Sequence, residues 1–255
     1  MVALYLFKKD QIAADWAVIR PRLRYLLVLG AIGFTGFSVS LYYALVHTTA
    51  INASILQGGT PLFVFWASFV LFSTRIVREQ AIGFLISFIG VIVIAVQGEF
   101  ANLITLNVNV GDALMLAAIV AYGVYTAALR SKPAMHWTSL MFVLCLGASI
   151  SSLPLLAVEM VQGATIFPDF QGWMVTAYVV IFPTLLGQVF YIRAVELIGA
   201  NRAGLFINLL PIWGAMLAVL VVGEAFHLYH AVSLIMILLG IALAEYGGQR
   251  LSRRA

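Results

Sequence analysis

The feature that most constrains this chain is a series of long apolar runs separated by short polar links. A helix needs about 20 apolar residues, with a range of roughly 17–25, to cross a hydrocarbon core. Eight segments reach or approach that length: residues 24–46, 50–72, 81–97, 111–129, 138–158, 173–192, 203–222 and 228–246. Only helices and closed barrels satisfy their backbone in hydrocarbon. Barrel strands alternate apolar and polar residues over about ten positions, whereas these runs are continuous. The sequence therefore predicts an all-α, polytopic membrane protein.

The composition excludes a water-soluble domain. The chain is 63% hydrophobic and 9% charged, whereas soluble domains have roughly 45–50% apolar and about 25% charged residues. The single cysteine, Cys145, excludes an intrachain disulfide. The basic pI of about 9.3 is not read as nucleic-acid binding, because no link between the runs is long enough to form a basic domain.

The positive charges predict the orientation of the bundle. If the N-terminal segment is cytoplasmic, all 14 Lys and Arg residues fall on cytoplasmic links or the C-terminal tail. The opposite links carry acidic residues: Glu99, Asp112, Glu159, Asp169 and Glu224. Because Lys and Arg in short loops favour the cytoplasmic side, we expect a multi-pass protein of the cell inner (plasma) membrane with a cytoplasmic C-terminus and anionic lipid neighbours.

An internal repeat appears when the chain is shifted against itself by 150 residues. The shift aligns Pro61 with Pro211 and Gly90 with Gly240, and three successive predicted helices align with three others without a gap. The topology predicted from the distribution of Lys and Arg gives the two copies opposite orientations in the membrane. Inverted repeats of this kind are a recurrent construction of secondary transporters, with the substrate site near the bilayer midplane.

The first copy contains three predicted helices and the second contains five. With the same shift, residues 1–7 align with 151–157, the end of a predicted span. One interpretation is a ten-helix fold that lacks the first helix and most of the second, leaving eight full spans. The alternative is an eight-helix protein with an apolar N-terminal tail.

Several stretches resemble the EamA family of the drug/metabolite transporter superfamily. Residues 33–44 resemble its third helix, and 49–61 the entry to its fourth. Residues 200–211 with Gly223 and Glu224 resemble the ninth helix. Residues 83–90 and 233–240 are similar to its fifth and tenth helices.

The resemblance implies a ten-helix fold of two inverted five-helix repeats. Residues 1–100 would be a partial first repeat, with the end of helix 2 and helices 3–5. Residues 101–255 would be the second repeat, with helices 6–10 and a basic cytoplasmic tail. It implies transport, with export common, of an amino acid or related metabolite through a central cavity. The expected partners are that small-molecule substrate and the bilayer; the oligomeric state stays open.

Polar and aromatic residues within the spans are candidates for substrate binding, because polar groups in a membrane are costly and often functional. The candidates are Tyr42, Asn52, Gln57, Thr60, Tyr122, Tyr125, Gln188, Tyr191, Asn208 and Trp213. The alternative is that the amides join helices and the aromatic rings anchor the interface. Pro61 and Pro211 each remove a backbone hydrogen bond, and we expect them to act as hinges; the alternative is a tolerated kink.

No set of residues with catalytic spacing is evident, so we expect a protein that is not an enzyme and has no metal or cofactor. The rival functions are a non-transporting membrane fragment, a channel and, less favoured, an intramembrane lipid-modifying enzyme. Asp112 is interpreted as a helix-terminus residue. His47, His227 and His230 lie at span ends and are expected at the membrane interface rather than as proton carriers.

Overall fold

The computed structural model describes residues 2–73, 77–98, 109–163, 165–187, 190, 197 and 209–252. Every regular element among them is helical, which confirms the all-α prediction. In chain order the α-helices are α1 (Val2–Ile19), α2 (Leu23–Gly30), α3 (Phe37–His47), α4 (Ala50–Gly58), α5 (Thr60–Phe72), α6 (Arg78–Ala95), α7 (Val110–Ala128), α8 (Trp137–Val161), α9 (Phe170–Val179), α10 (Leu210–Leu217) and α11 (Leu228–Ser252). Short 3-10 turns lie at Arg20–Arg22 and Leu129–Ser131.

Five of the described helices are long and apolar enough to cross a membrane, or six if the bent pair α4–α5 is one span. They overlap the predicted spans 24–46, 50–72, 81–97, 111–129, 138–158 and 228–246. The remaining two predicted spans, 173–192 and 203–222, overlap the shorter apolar helices Phe170–Phe182 and Leu210–Val222. The protein is therefore a multi-pass membrane protein.

The first long helix begins earlier than the sequence predicted. Its candidate span runs from Lys9 to His47, which is 39 residues. At about 1.5 Å per residue this exceeds a hydrocarbon core of about 30 Å. The segment before Leu23 carries Lys9, Arg20 and Arg22, so it extends beyond the core on the side of the basic links.

The chain divides into two compact units, residues 1–153 with 211–255 and residues 154–210. The larger unit has α4 at its centre. Ile51, Ile55 and Leu56 on this helix are fully buried in an apolar cluster with side chains from α3, α6, α7, α10 and α11. In the smaller unit, Asp169 caps α9 by accepting a hydrogen bond from the Gly172 amide at 2.7 Å.

The packing of α6 against α11 has the symmetry that the 150-residue repeat predicts. A Cβ on Gly83 would lie 2.4 Å from the Gly240 carbonyl oxygen, and one on Gly90 would lie 3.1 Å from that of Ser233. The repeat relates residue 83 to 233 and residue 240 to 90, so it converts the contact between Gly83 and Gly240 into the contact between Ser233 and Gly90. Ser87 donates to the carbonyl of Ile237, its own repeat counterpart, at 3.2 Å. The helices therefore run antiparallel about a local two-fold relationship, as an inverted repeat requires.

A second irregularity recurs with the same spacing. One π-helical segment covers Ala31–Gly36, between α2 and α3, and another covers Val180–Leu186, directly after α9. The first range shifted by 150 is 181–186. Because π-helical turns are rare and occur often at functional sites, their recurrence supports the repeat through backbone geometry as well as residue identity. A third π-helical segment, Ala218–Val222, has no such counterpart, because it aligns with the end of α5, where the backbone is α-helical.

We predict that Gly83→Ala destabilises the protein, because the new Cβ would meet the backbone of α11. Overpacking of this kind costs about 1–3 kcal/mol, so the melting temperature in detergent should fall. Gly36→Ala is the matched control, since its Cβ would meet only an ordinary contact at 3.5 Å. Equal melting temperatures for the two variants would contradict the packing described here.

Candidate functional site

The break between α4 and α5 is the first candidate for a functional region. The two helices are bent by 41° at Gly59, two residues before Pro61. Proline has no amide hydrogen, so the carbonyl of Gln57, four residues earlier, loses its helical partner. The Thr60 hydroxyl donates to that carbonyl at 2.6 Å. The helix is thus kinked at this point, and the Gln57 side chain beside the kink is exposed.

Helix α4 crosses α10 at very short range beside this break. A Cβ on Gly58 would lie 2.5 Å from the Pro211 ring, and one on Gly214 would lie 2.4 Å from the Ser54 hydroxyl. Pro211 is the second residue of α10, as Pro61 is of α5. Each of the two predicted hinges therefore begins a helix, and the crossing brings Pro211 against the turn before Pro61. Whether either position moves stays a prediction.

The aromatic candidates fall into two groups. Tyr125 is buried on α7, with its ring 5.6 Å from Tyr122 and 5.7 Å from Phe34. Tyr42 and Trp213 are 58% and 52% exposed. The exposed pair could face either lipid or a cavity, so their substrate-binding role stays a prediction. Gln188, Tyr191 and Asn208 lie outside the described residues.

A cavity of about 510 Å³ lies between α5, α6 and α7. Phe63, Trp66, Phe84 and Phe88 contribute to its lining, which contains none of the predicted substrate-binding residues. Because its wall is apolar, it lacks the convergent polar groups that orient a polar ligand.

A buried polar cluster lies where α3 ends and α4, α7 and α11 begin. Asp112 is fully buried, and Asn52 and His230 are 2% and 1% exposed. The Asn52 amide nitrogen lies 3.5 Å from each carboxylate oxygen of Asp112, and its carbonyl oxygen lies 3.0 Å from Nε2 of His230. The Thr48 hydroxyl donates to the same carboxylate. Three helices, α4, α7 and α11, and the link between α3 and α4 are therefore joined through these side chains.

Glu224 holds the start of α4 beside this cluster. Its two carboxylate oxygens accept hydrogen bonds from the amides of Ala50 and Ile51, at 2.7 and 2.8 Å. The first amides of a helix have no partner within the helix and carry partial positive charge, so a carboxylate stabilises them. Glu224 lies in the link before α11, so it ties that link to the broken helix.

The cluster changes three interpretations made from the sequence. His230 is buried within the protein, which the sequence did not predict, whereas His47 and His227 are exposed. Asp112 lies in the first turn of α7, as expected, but its side chain binds Thr48 and Asn52 rather than its own helix. Asn52 is enclosed by these partners, so contact with a substrate would require the cluster to open.

Comparison with known proteins establishes the family. The chain matches the EamA-like transporter family over residues 1–96 and 109–246, and it belongs to that family.

Its relatives include three named transporters. An uncharacterized transporter of Bacillus subtilis, YyaM, is 24% identical, over 86% of this chain and 72% of the relative. A probable terminal-alkyne amino-acid exporter of Streptantibioticus cattleyicolor is 29% identical, over 83% of this chain and 70% of the relative. The pseudopaline exporter CntI of Pseudomonas aeruginosa is 30% identical, over 71% of this chain and 60% of its own length.

A solved crystal structure has a similar fold. The TM-score is 0.57 with 21% sequence identity, and the match covers 94% of this chain and 84% of that one. At this level of identity, the likeness concerns the fold alone.

We predict that Asn52→Leu lowers the melting temperature, because it leaves Asp112 and His230 without their shared partner. A buried polar group that loses its hydrogen bond costs about 1–3 kcal/mol. Gln57→Leu, one and a half turns further along α4, is the matched control, because that side chain is exposed and should tolerate the change. A melting temperature unchanged by Asn52→Leu would contradict the role assigned to the cluster.

Proposed function

We propose that this protein transports a small organic metabolite, such as an amino acid or a related compound, across the cell inner membrane by alternating access. The observation that carries the proposal is the inverted-repeat contact between α6 and α11 at Gly83, Gly90 and Ser87. Two halves of opposite orientation can rock about a shared interface and expose a central site to each side in turn. Membership of a family of transporters supports the same mechanism.

Export is the proposed direction. Two relatives are named as exporters, one of an amino acid and one of pseudopaline. We place the basic links and the C-terminus on the cytoplasmic side by the distribution of Lys and Arg.

The substrate site is proposed at the break between α4 and α5. A broken helix at mid-membrane supplies polar backbone and side-chain groups that a continuous helix keeps occupied. Gln57 and Thr60 supply these groups here, and the further candidates are the polar and aromatic residues of the other predicted spans: Tyr42, Tyr122, Tyr125, Gln188, Tyr191, Asn208 and Trp213. With polar but uncharged side chains such as these, a few hydrogen bonds would orient a substrate.

The test is flux of labelled amino acids and related metabolites into liposomes that contain the purified protein. A carrier gives saturable flux that unlabelled substrate on the opposite side accelerates. Flux that rises linearly with concentration and is unaffected by unlabelled substrate on the opposite side would indicate a pore. Absence of flux for every compound, with the protein folded, would favour a non-transporting fragment.

We predict that Gln57→Ala lowers flux through weaker substrate binding, without lowering the melting temperature. Loss of one substrate hydrogen bond of about 0.5–1.5 kcal/mol should raise the half-saturating concentration several-fold. Gln162→Ala makes the same change at an exposed position beyond the end of α8 and should leave flux unaltered. If both variants transport like the original protein, the break is not the binding site.

A further inference from the structure

The buried polar cluster joins the two repeats at one end of the bundle. Thr48 and Asn52 belong to the first copy of the 150-residue repeat, whereas Asp112 and His230 belong to the second. The hydrogen bonds from Thr48 and Asn52 to Asp112, and between Asn52 and His230, therefore all cross between copies. The bonds from Glu224 to the start of α4 also cross. Any rocking that opens this end must break these bonds.

The hydrogen bonds of the cluster have a defined direction. The His227 amide donates to Nδ1 of His230 at 2.9 Å, so Nδ1 carries no proton in this arrangement. The remaining nitrogen, Nε2, then donates to the carbonyl oxygen of Asn52, 3.0 Å away. The amide nitrogen of Asn52 consequently points to Asp112, at 3.5 Å. His230 is thereby neutral, and the chain of donors ends at the carboxyl group of Asp112.

The helix segments that carry the cluster contain no Lys or Arg to offset a carboxylate at Asp112. The sequence has none between residues 25 and 74, 79 and 129, or 203 and 249, and these ranges cover α3, α4, α7, the link before α11 and α11 as far as Gln249. A buried charge without a partner is strongly disfavoured, and such a group tends to become neutral. Within four residues of Thr48, Asn52, Asp112 or His230, the other titratable groups are His47, His227 and Tyr229, and Glu224 adds a carboxylate at the start of α4.

We propose that Asp112 binds a proton when this end of the bundle closes and releases it when the end opens to water. The proton adds to the carboxylate oxygen that faces Thr48, and the hydroxyl of Thr48 then changes from donor to acceptor, so the contact is retained while the buried charge is removed. In the open state water solvates the carboxylate, and the proton leaves. This inference rests on the proposed transport function and names a proton as a ligand of one of its states.

The sign of the pH dependence follows from this linkage. The closed state binds one proton more than the open state, so a fall in pH raises the closed population. For one proton, the ratio of closed to open changes by up to about tenfold per pH unit.

The experiment measures the opening of this end directly. Spin labels are placed at His47→Cys and Leu228→Cys, both at exposed positions, in a Cys145→Ser background that has no other thiol. Distances between the labels are recorded in lipid nanodiscs without substrate, from about pH 8 to about pH 5. The proposal expects the short-distance population to grow several-fold as the pH falls. A distance distribution that does not respond to pH overturns it, whether or not substitutions of Asp112 or Glu224 can be purified.

Two variants identify the group that titrates. Asp112→Asn imitates the neutral carboxyl and should give a mainly closed, pH-independent distribution. Glu224→Gln removes the other carboxylate of this region and should keep the pH response. A pH response that survives Asp112→Asn, or that disappears only in Glu224→Gln, overturns the proposal.

The measurement is separable from the transport test. A pH response in a protein without flux would leave the proton site standing and remove the transport function. Flux without a pH response of the labels would leave the transport function standing and remove the proton site.

Discussion

The close approach of α6 and α11 is the contact on which the rest of the structure depends. Between helices in a bilayer there is no hydrophobic driving force, because lipid tails are as apolar as the side chains; packing and hydrogen bonds must hold them together. Gly83, Gly90 and Gly240 allow the two backbones to meet, and Ser87 adds a hydrogen bond at the centre of the crossing. This contact relates the two copies by inversion, and α4 then lies among α7, α10 and α11.

The two polar features of the larger unit follow from the broken helix. At its middle, Pro61 frees a carbonyl that Thr60 partly satisfies. At its start, Glu224, Asp112 and His230 hold the first turn of α4 through bonds that cross between the copies. Polar groups in such surroundings are costly unless paired. Apolar packing at both places would be enough to stabilise the bundle. The presence of polar groups there is consistent with a helix that changes its contacts during transport.

Much of the fold could be predicted from the sequence because it depends on local patterns. Apolar length located the spans, and the coincidence of Pro61 with Pro211 pointed to the repeat; that each proline lies at the start of a helix was not foreseen. The side-chain partners could not be predicted in this way. Asn52, Asp112 and His230 are 60 to 178 residues apart, and hydropathy does not show which span ends meet. The predicted topology did place Asp112 and Glu224 at the same end, which was the available signal for this cluster.

The exposure of Trp213 and Tyr42 illustrates a second limit. An aromatic residue in a span faces lipid, a cavity or another helix, and its sequence position does not distinguish these surroundings. Tyr125 packs between helices, whereas Trp213 is half exposed. The sequence therefore identified residues able to line a cavity. The structure is needed to distinguish those that pack between helices from those that are exposed.

The central claim is that the two ends of the bundle open in alternation, and distances across both ends of one protein test it most directly. One pair of spin labels, at residues 47 and 228, reports on the end that lacks Lys and Arg, and a second pair, at residues 71 and 131, reports on the basic end. When a transported compound is added, the account predicts that one distance shortens while the other lengthens. Two distances that shift in the same direction, or that ignore a compound the protein transports, would contradict it.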